Sequence, residues 1–198
     1  LRGYIGTELH MAIEQFNAKY PDVTIHVESG NHEELYRMLR TEEVDLVFND
    51  QRRAFSDEYA NLILTTASSF IEISSRSPLA DLSKISPQDL KNTPCILIAS
   101  EEQQDTERDY YHDVIGFHGE YLFSENLEEA RLMVIGGKGF MPIEGSRNAM
   151  HFGTSITRIP LYRGENQITR NYCAFWKIDN SGYYVEEFAE MLKSEFHQ

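Results

Sequence analysis

Strand and helix patterns alternate from the first residue, and this alternation constrains the fold more than any other feature. Leu1–Ile5 predicts a short strand, and a helix with an apolar face follows up to Pro21. Alternating apolar residues over Val23–Val27 predict a second strand, and the nearly unbroken apolar run Val44–Phe48 predicts a third. With a helix predicted after Asn31, the order is β-α-β-α-β, which favours a parallel sheet with right-handed crossovers.

A second unit of the same type begins near Cys95. Ser86-Pro87 predicts a helix start, Asn126 with Glu129 resembles a capping box, and Gly136-Gly137 is expected to end that helix. Further strands are predicted at 62–65, 71–74, 95–99, 121–123, 140–143, 156–161 and 172–178, and a last helix follows. The expected fold class is α/β with two Rossmann-like lobes and a ligand between them.

Composition and net charge limit the classes of protein to which this chain can belong. The chain has 198 residues, 41% of them hydrophobic and 25% charged, which is typical of a globular protein. A formal net charge of −14 argues against nucleic-acid binding through the general field of the chain. No apolar run is long enough to span a membrane, no signal peptide is apparent, and we expect a fragment of a longer protein. Cys95 and Cys173 each lie in apolar stretches and are expected to be buried thiols.

Motifs for chemistry are missing from the sequence. It contains no G-x-S-x-G, P-loop or Rossmann fingerprint, and Gly136–Gly139 follows a helix rather than a strand. No histidine pattern has metal-ligand spacing, and His112, Asp113 and His118 come nearest to one. We therefore expect no catalytic residue, no metal and no cofactor, and a domain that binds a small molecule.

Candidate ligand contacts come from helix starts and strand ends, where backbone N–H groups favour anions. Thr7 opens the first helix and the turn of Ser29, Gly30 and Asn31 opens the second, although each can simply cap its own helix. The remaining candidates lie beyond strands or near a lobe connection, and their alternatives are turn or core positions; they are Asn49, Phe70, Ser100 and Phe140.

Several phrases, in this order, resemble the effector-binding domain of LysR-type transcriptional regulators. They are Phe16-x-x-x-Tyr20-Pro21, Val44-Asp45-Leu46-Val47, Ser77-Pro78-Leu79-Ala80, Ile85-Ser86-x-x-Asp89-Leu90, Val134-x-x-Gly137-x-Gly139 and Phe175-Trp176-Lys177. The resemblance implies two lobes of the type 2 periplasmic-binding-protein fold, with crossovers near 72–75 and 159–161. These crossovers place lobe I at 1–74 and 160–198, and lobe II at 75–159. It also implies effector contacts at Thr7 and at the turn before the second helix.

The same resemblance implies a cytoplasmic regulator that binds promoter DNA through an N-terminal winged helix-turn-helix domain absent from this chain. It implies a homodimer or homotetramer that senses a small, anionic metabolite and has no membrane partner. The alternative is an extracytoplasmic solute-binding protein of a transporter, which has the same fold. An enzyme on this fold is a third possibility, but no residue can be nominated as its acid or base.

Overall fold

A computed structural model describes residues 5–52, 54–145, 154–180 and 182–196. The chain divides into two compact units: unit one takes the described residues of Leu1–Thr66 and Arg170–Gln198, and unit two comprises those of Ala67–Thr169. The changes of unit fall after residues 66 and 169, whereas the sequence placed the lobe boundaries after 74 and 159. The predicted strand at 1–5 lies outside the described residues except for Ile5, which begins a helix.

Unit one has strands covered by helices on both faces. Its helices are α1 (Ile5–Lys19), α2 (His32–Arg40) and α5 (Tyr183–Glu195), and its strands are β1 (Val47–Asp50), the first half of β2 (Tyr59–Ser74) and β9 (Thr169–Lys177). β9 alternates its faces: Ala174 and Trp176 pack among residues of α1 and α5, while Cys173 and Phe175 pack with Leu35 and Leu39 of α2. The alternation fixes β9 between two apolar layers.

Two expectations for unit one are wrong. Residues 23–27 form no strand, and Val27 is 57% exposed; within the part of the chain that the structure describes, no strand pairs with this segment. The third predicted strand is displaced to Val47–Asp50 and pairs antiparallel with β9, from Val47↔Phe175 to Asp50↔Tyr172. Among the described residues, β1 therefore pairs with a strand that returns from the far end of the chain, and with none reached by a helical crossover.

Unit two combines antiparallel and parallel pairing. The second half of β2 pairs antiparallel with β5 (Met141–Gly145) and with β6 (Ile156–Pro160). β3 (Cys95–Ile98) pairs parallel with β4 (Tyr121–Ser124), and the connection between them contains α3 (Gln104–Asp109) and a π-helical turn, Tyr110–Ile115. The unit also contains α4 (Leu127–Ile135) and a hairpin of β7 (Tyr162–Arg163) and β8 (Asn166–Gln167). The α/β class with mixed sheets is confirmed.

In unit two, the sequence correctly predicted one helix, whose first turn is capped by a side chain, and wrongly predicted another. The Asn126 side chain accepts a hydrogen bond from Glu129 N at 2.9 Å, as expected for the start of α4, and Gly137 has a φ of 74° just beyond its end. The predicted helix at Ser86 is wrong. Both the amide and the hydroxyl of Ser86 bond to the Asp89 carboxylate, and the segment forms a series of turns instead.

Both cysteines are buried free thiols, as predicted, with Cys95 in unit two and Cys173 in unit one. Burial raises the pKa of Cys95 well above its ordinary value. Burial, reinforced by the negative charge of Asp50, raises the pKa of Cys173 to about 11. Neither thiol ionises readily near neutral pH, so neither is a ready nucleophile.

Candidate functional site

The predicted turn of Ser29, Gly30 and Asn31 is closed by a complete capping box. Asn31 Oδ1 accepts from Glu34 N at 3.0 Å, and Glu34 Oε2 accepts from Asn31 N at 2.7 Å. Ser29 is exposed and Gly30 is half-buried. The chain's own carboxylate thus occupies a position where an external anion would bind, and a ligand at this turn must compete with Glu34.

His32 connects this turn to the end of β1, so two predicted sites come together. Asn49, which is 4% exposed, places its Nδ2 2.9 Å from His32 Nδ1, and its Oδ1 accepts from Asp50 N at 2.9 Å. His32 Nε2 lies 3.0 Å from Asp50 Oδ1. Because the Asn49 amide donates to Nδ1, this network places the proton of a neutral His32 on Nε2, pointing at the Asp50 carboxylate.

Two arginines complete the group around Asp50. Arg52 Nε lies 3.0 Å and Arg170 Nη1 lies 3.3 Å from Asp50 Oδ2. Their convergence follows from the β1–β9 register: Asp50 faces Tyr172, and Gln51 N still donates to Asn171 O at 2.8 Å, so Arg52 comes opposite Arg170. Side chains two residues apart share a face of a strand, which directs both guanidinium groups to the side of Asp50. We call His32, Asp50, Arg52 and Arg170 the Asp50 cluster.

Asp50 stays ionised in this cluster. Burial alone would raise its pKa, but the hydrogen bond from His32 and the charges of Arg170 and Arg52 outweigh burial and hold the pKa well below its usual range. Within the cluster, the cationic groups outnumber the one carboxylate. The side chains of Arg52, Arg170 and His32 are 13%, 12% and 16% exposed, so the cluster reaches solvent. A small anion could approach it without displacing Asp50.

Thr7 lies in the first turn of α1 and is exposed. The backbone N–H groups of this turn have no partners inside the helix, so the turn is suited to an anion, and the Thr7 hydroxyl can add a hydrogen bond. Glu8 in the same turn already interacts favourably with the positive end of the helix.

The three predicted residues of unit two lie in different environments. Phe70 in β2 is 5% exposed and Phe140, which contacts the Phe117 ring at a centroid distance of 5.0 Å, is 1% exposed. Both are packed in the core, the alternative that the sequence left open. Ser100 follows β3, is exposed, and precedes a 3-10 turn at Glu101–Gln103 without capping it through its side chain.

A second buried ionic group, in unit two, was not foreseen. Glu72 is 0% exposed, and Arg131 on α4 holds it through Nε at 3.0 Å and Nη2 at 3.2 Å. Arg158, directly opposite on β6, donates from Nη2 to Glu72 Oε1 at 2.6 Å. We call these three residues the Glu72 cluster. An acidic residue inside the apolar run of β2 was the available signal, since a buried carboxylate requires cationic partners.

The residues missed in unit one differ in how far sequence could have revealed them. Arg52 follows Asp50 by two positions, so a cation at the carboxyl end of β1 was visible locally. Arg170 is distant in sequence, and only the β1–β9 register brings it to Asp50.

Comparison with known proteins settles the family. The family described as the LysR substrate binding domain matches residues 7–196. The chain belongs to this family. Among curated proteins, this LysR-type domain is similar to the HTH-type transcriptional regulator CysB of Haemophilus influenzae, with 26% identity over 88 residues. That match covers 44% of the chain and 27% of the relative, so it spans only about a quarter of that protein.

Solved structures share the fold of the LysR-type domain. The regulatory domain of MetR from Neisseria meningitidis, in a cysteine-to-serine mutant, aligns with a TM-score of 0.75 and 13% identity, over 96% of this chain and 88% of that one. The reduced OxyR regulatory domain from Pseudomonas aeruginosa aligns with a TM-score of 0.67 and 19% identity, over 96% and 93%. The type 2 periplasmic-binding-protein-like architecture is therefore confirmed. Among the described residues, no helix is long and apolar enough to cross a membrane.

Proposed function

We propose that this LysR-type domain senses a small anion for a DNA-binding transcription regulator. The full protein would bind promoter DNA through a separate domain, act in the cytoplasm without a membrane partner, and assemble as a homodimer or homotetramer. Family membership and the similarity to a named transcriptional regulator support this proposal over a transporter's solute-binding protein. The domain itself would carry no enzymatic activity and no cofactor.

The Asp50 cluster is the observation that carries the choice of an anion. The chain as a whole has a net charge of −14, yet two arginines and a histidine converge at the carboxyl end of β1. Guanidinium groups bind carboxylates and phosphates in a fixed, two-pronged geometry, so a partly exposed pair of arginines selects such ligands. The amino end of α1, with Thr7 in its first turn, favours the same class.

The proposed contacts in unit one are Thr7, the Ser29–Asn31 turn and Asn49. A ligand anion at the turn before α2 would replace the Glu34 carboxylate on Asn31 N. Such an exchange would release Glu34 and would alter the start of α2, next to His32 of the Asp50 cluster. A ligand shifts a regulator only through different affinities for two states, and a competing internal carboxylate provides such a difference. Ser100 remains a proposed contact in unit two, whereas Phe70 and Phe140 serve the core.

A thermal-shift screen of the 198-residue chain tests the proposal. The panel contains carboxylic acids, amino acids, sugar phosphates, sulfate and phosphate, with uncharged sugars and polyamines as the contrasting classes. An anion present at about 100 times its Kd stabilises the native state by about 2.7 kcal/mol, which shifts Tm measurably. We expect at least one anion to raise Tm and the uncharged and cationic compounds to leave it unchanged.

Variants locate the binding site once an anion is found. Thr7→Ala and Ser29→Ala alter exposed hydroxyls and are expected to weaken binding at least tenfold without lowering Tm of the unliganded protein. Thr106→Ala, at an exposed position of α3 in unit two, is the matched control and should bind normally. Stabilisation by uncharged or cationic compounds alone, or by no compound, would contradict the sensing of an anion. Equal binding by all three variants would contradict the site.

A further inference from the structure

An exposed pair of histidines stands outside the proposed effector site. His112 belongs to the π-helical turn Tyr110–Ile115 and His118 follows it, both in unit two. Their rings meet edge to face with centroids 4.6 Å apart, and His118 Nδ1 lies 3.1 Å from His112 Nε2. No step of the proposed function uses this pair.

The aromatic residues that directly precede the two histidines hold the pair in position from the side of the core. Tyr111 and Phe117 stack with their ring planes only 5° apart, and Phe117 is buried against Phe140. Gly116 permits the turn between them with a φ of 90°, and the amides of Gly116 and Phe117 both donate to Tyr111 O at 3.0 Å. Each histidine directly follows one of the stacked aromatics. Packing in the core therefore sets the two imidazoles side by side on the surface.

A second anchor holds the same turn. Arg163, on the β7–β8 hairpin, donates from Nη2 to Val114 O at 2.7 Å and to Ile115 O at 3.1 Å. These carbonyl groups end the π-helical turn and would otherwise lack intrahelical partners. The backbone that carries His112 is thus held from two sides, which lowers the entropy lost when a ligand bridges the rings.

Asp113 orients the His112 ring. Its Oδ1 lies 2.7 Å from His112 Nδ1, so Nδ1–H donates to the carboxylate and the lone pair of Nε2 faces His118. A carboxylate bonded to the far nitrogen of an imidazole is the usual support behind a metal-ligating histidine, because it fixes the tautomer and makes the ligating nitrogen more basic.

The separation of the two nitrogens fits a metal ion. With Zn–N bonds of about 2.0–2.1 Å, two nitrogens 3.1 Å apart subtend about 100° at the ion. That angle lies between the right angle of an octahedral or square-planar site and the angle of a tetrahedron. Both rings are exposed and can rotate so that their lone pairs converge, with the His118 proton moving from Nδ1 to solvent-facing Nε2.

We propose that His112 Nε2 and His118 Nδ1 form a binding site for a divalent transition metal ion that favours imidazole, with Asp113 as the supporting carboxylate. Among the described residues, no group of three or more His, Cys, Asp or Glu side chains is placed to hold a metal. Water molecules would therefore complete the coordination of a two-imidazole site. This proposal is independent of the effector site, because its residues and its ligand class are different.

Calorimetric titration of Zn²⁺ into the 198-residue chain is the test. We expect one zinc ion per chain at this site, and at least tenfold weaker binding in His112→Ala and in His118→Ala. Asp113→Asn keeps both ligands and should weaken binding about tenfold, as loss of a supporting carboxylate does elsewhere. His10→Ala, at an exposed position of α1, is the matched control and should bind like the wild type.

Folding is checked separately, by far-UV circular dichroism and by Tm without metal. The substituted side chains are exposed, so both should match the wild type. Zinc should then raise Tm of the wild type and of His10→Ala, but not of the double variant His112→Ala/His118→Ala. Equal zinc affinity in the wild type and the double variant, or a wild-type Kd weaker than about 1 mM, would overturn the site.

Discussion

Each unit buries one carboxylate between two arginines, but the two clusters lie at different places in the secondary structure. Glu72 lies within β2, two residues before the strand ends at Ser74, and its partners come from α4 and from the adjacent strand β6. Asp50 is the last residue of β1, and its partners come from the first residue of α2, from the segment after β1 and from the beginning of β9. The Glu72 cluster joins residues that lie within a helix and two strands, whereas the Asp50 cluster joins residues at or just beyond the ends of elements.

This difference indicates that similar ion pairs have different roles in the two units. The Glu72 side chain is 1% exposed and accepts a two-pronged hydrogen bond from Arg131, which fastens α4 to the sheet. Asp50 is 8% exposed and accepts single contacts from three residues, while the arginines of the two clusters are exposed to similar extents, 13% and 12% around Asp50 and 15% and 12% around Glu72. A fully buried carboxylate in a two-pronged contact suits a structural tie, whereas cations that hold a less buried carboxylate by single contacts suit a ligand. The predictions below separate these roles.

The largest effect is expected for Glu72→Gln. Removing the only carboxylate of the cluster leaves Arg131 and Arg158 facing each other in the interior, and breaking a buried pair in this way costs about 3–5 kcal/mol. Urea unfolding followed by circular dichroism measures the change. Glu14→Gln, at an exposed position of α1, is the control and should stay within about 0.5 kcal/mol of the wild type. A loss in Glu72→Gln no larger than in this control would contradict a structural tie.

Asp50→Asn should destabilise less, by about 3 kcal/mol at pH 7, because the Asp50 side chain is 8% exposed whereas that of Glu72 is 1% exposed. The pKa of Asp50 is lowered in the folded state, so its contribution is complete above the unfolded pKa of about 3.9 and is lost as pH falls further. The stability difference between wild type and variant should therefore be constant from about pH 7 to pH 5 and shrink below about pH 4. A difference that already shrinks above pH 5 would contradict the depressed pKa.

Arginine-to-lysine changes compare the two clusters with charge retained. Arg131→Lys loses one of two hydrogen bonds to a fully buried carboxylate, so we expect a loss of about 1.5–3 kcal/mol. Arg170→Lys replaces a contact of 3.3 Å at the beginning of β9 and should lose about 1 kcal/mol or less. Urea midpoints of the two variants decide the order, and the reverse order would show that the Asp50 cluster is the tighter structural tie.

The smallest effects concern the helix caps of the two units. Asn31→Ala and Asn126→Ala should each cost about 1 kcal/mol, because each side chain accepts a bond from the third residue of its helix. Asn31→Ala should lower the free energy of unfolding somewhat more than Asn126→Ala. The Glu34 carboxylate also accepts a hydrogen bond from Asn31 N and completes that cap, whereas the Glu129 carboxylate accepts from Glu125 N instead. Chemical unfolding of both variants measures the difference, and a larger loss in Asn126→Ala would contradict it.

Features that depend on residues close together in the chain were predicted correctly from the sequence. The apolar faces of α1 and α2, the cap at Asn31 and the buried thiols followed from spacing and side-chain chemistry. The strand at 23–27 was predicted wrongly because alternation alone does not form a strand without a paired neighbour, and the described residues provide no strand that pairs with this segment. Arg170 could not be predicted as a partner of Asp50, because their approach depends on the pairing of β1 with a strand more than a hundred residues away.

The proposed effector site remains a prediction. Asn49 and the turn at Asn31 were proposed separately from the sequence, and His32 joins them through hydrogen bonds that sequence spacing does not reveal. Phe70 was proposed because of its place near a lobe connection, and Phe140 as part of an apolar wall. Both are buried in the core, the alternative that the sequence left open.

The most direct test of the central claim measures the affinity of the best anion from the screen in Arg170→Lys and Arg131→Lys. Both variants keep their charge, and the measurement is made by calorimetry below their unfolding temperatures. If the Asp50 cluster holds the anion and the Glu72 cluster ties the fold, Arg170→Lys should weaken binding at least tenfold, and Arg131→Lys should bind like the wild type. Unchanged affinity in Arg170→Lys, with weakened binding in Arg131→Lys, would contradict the account.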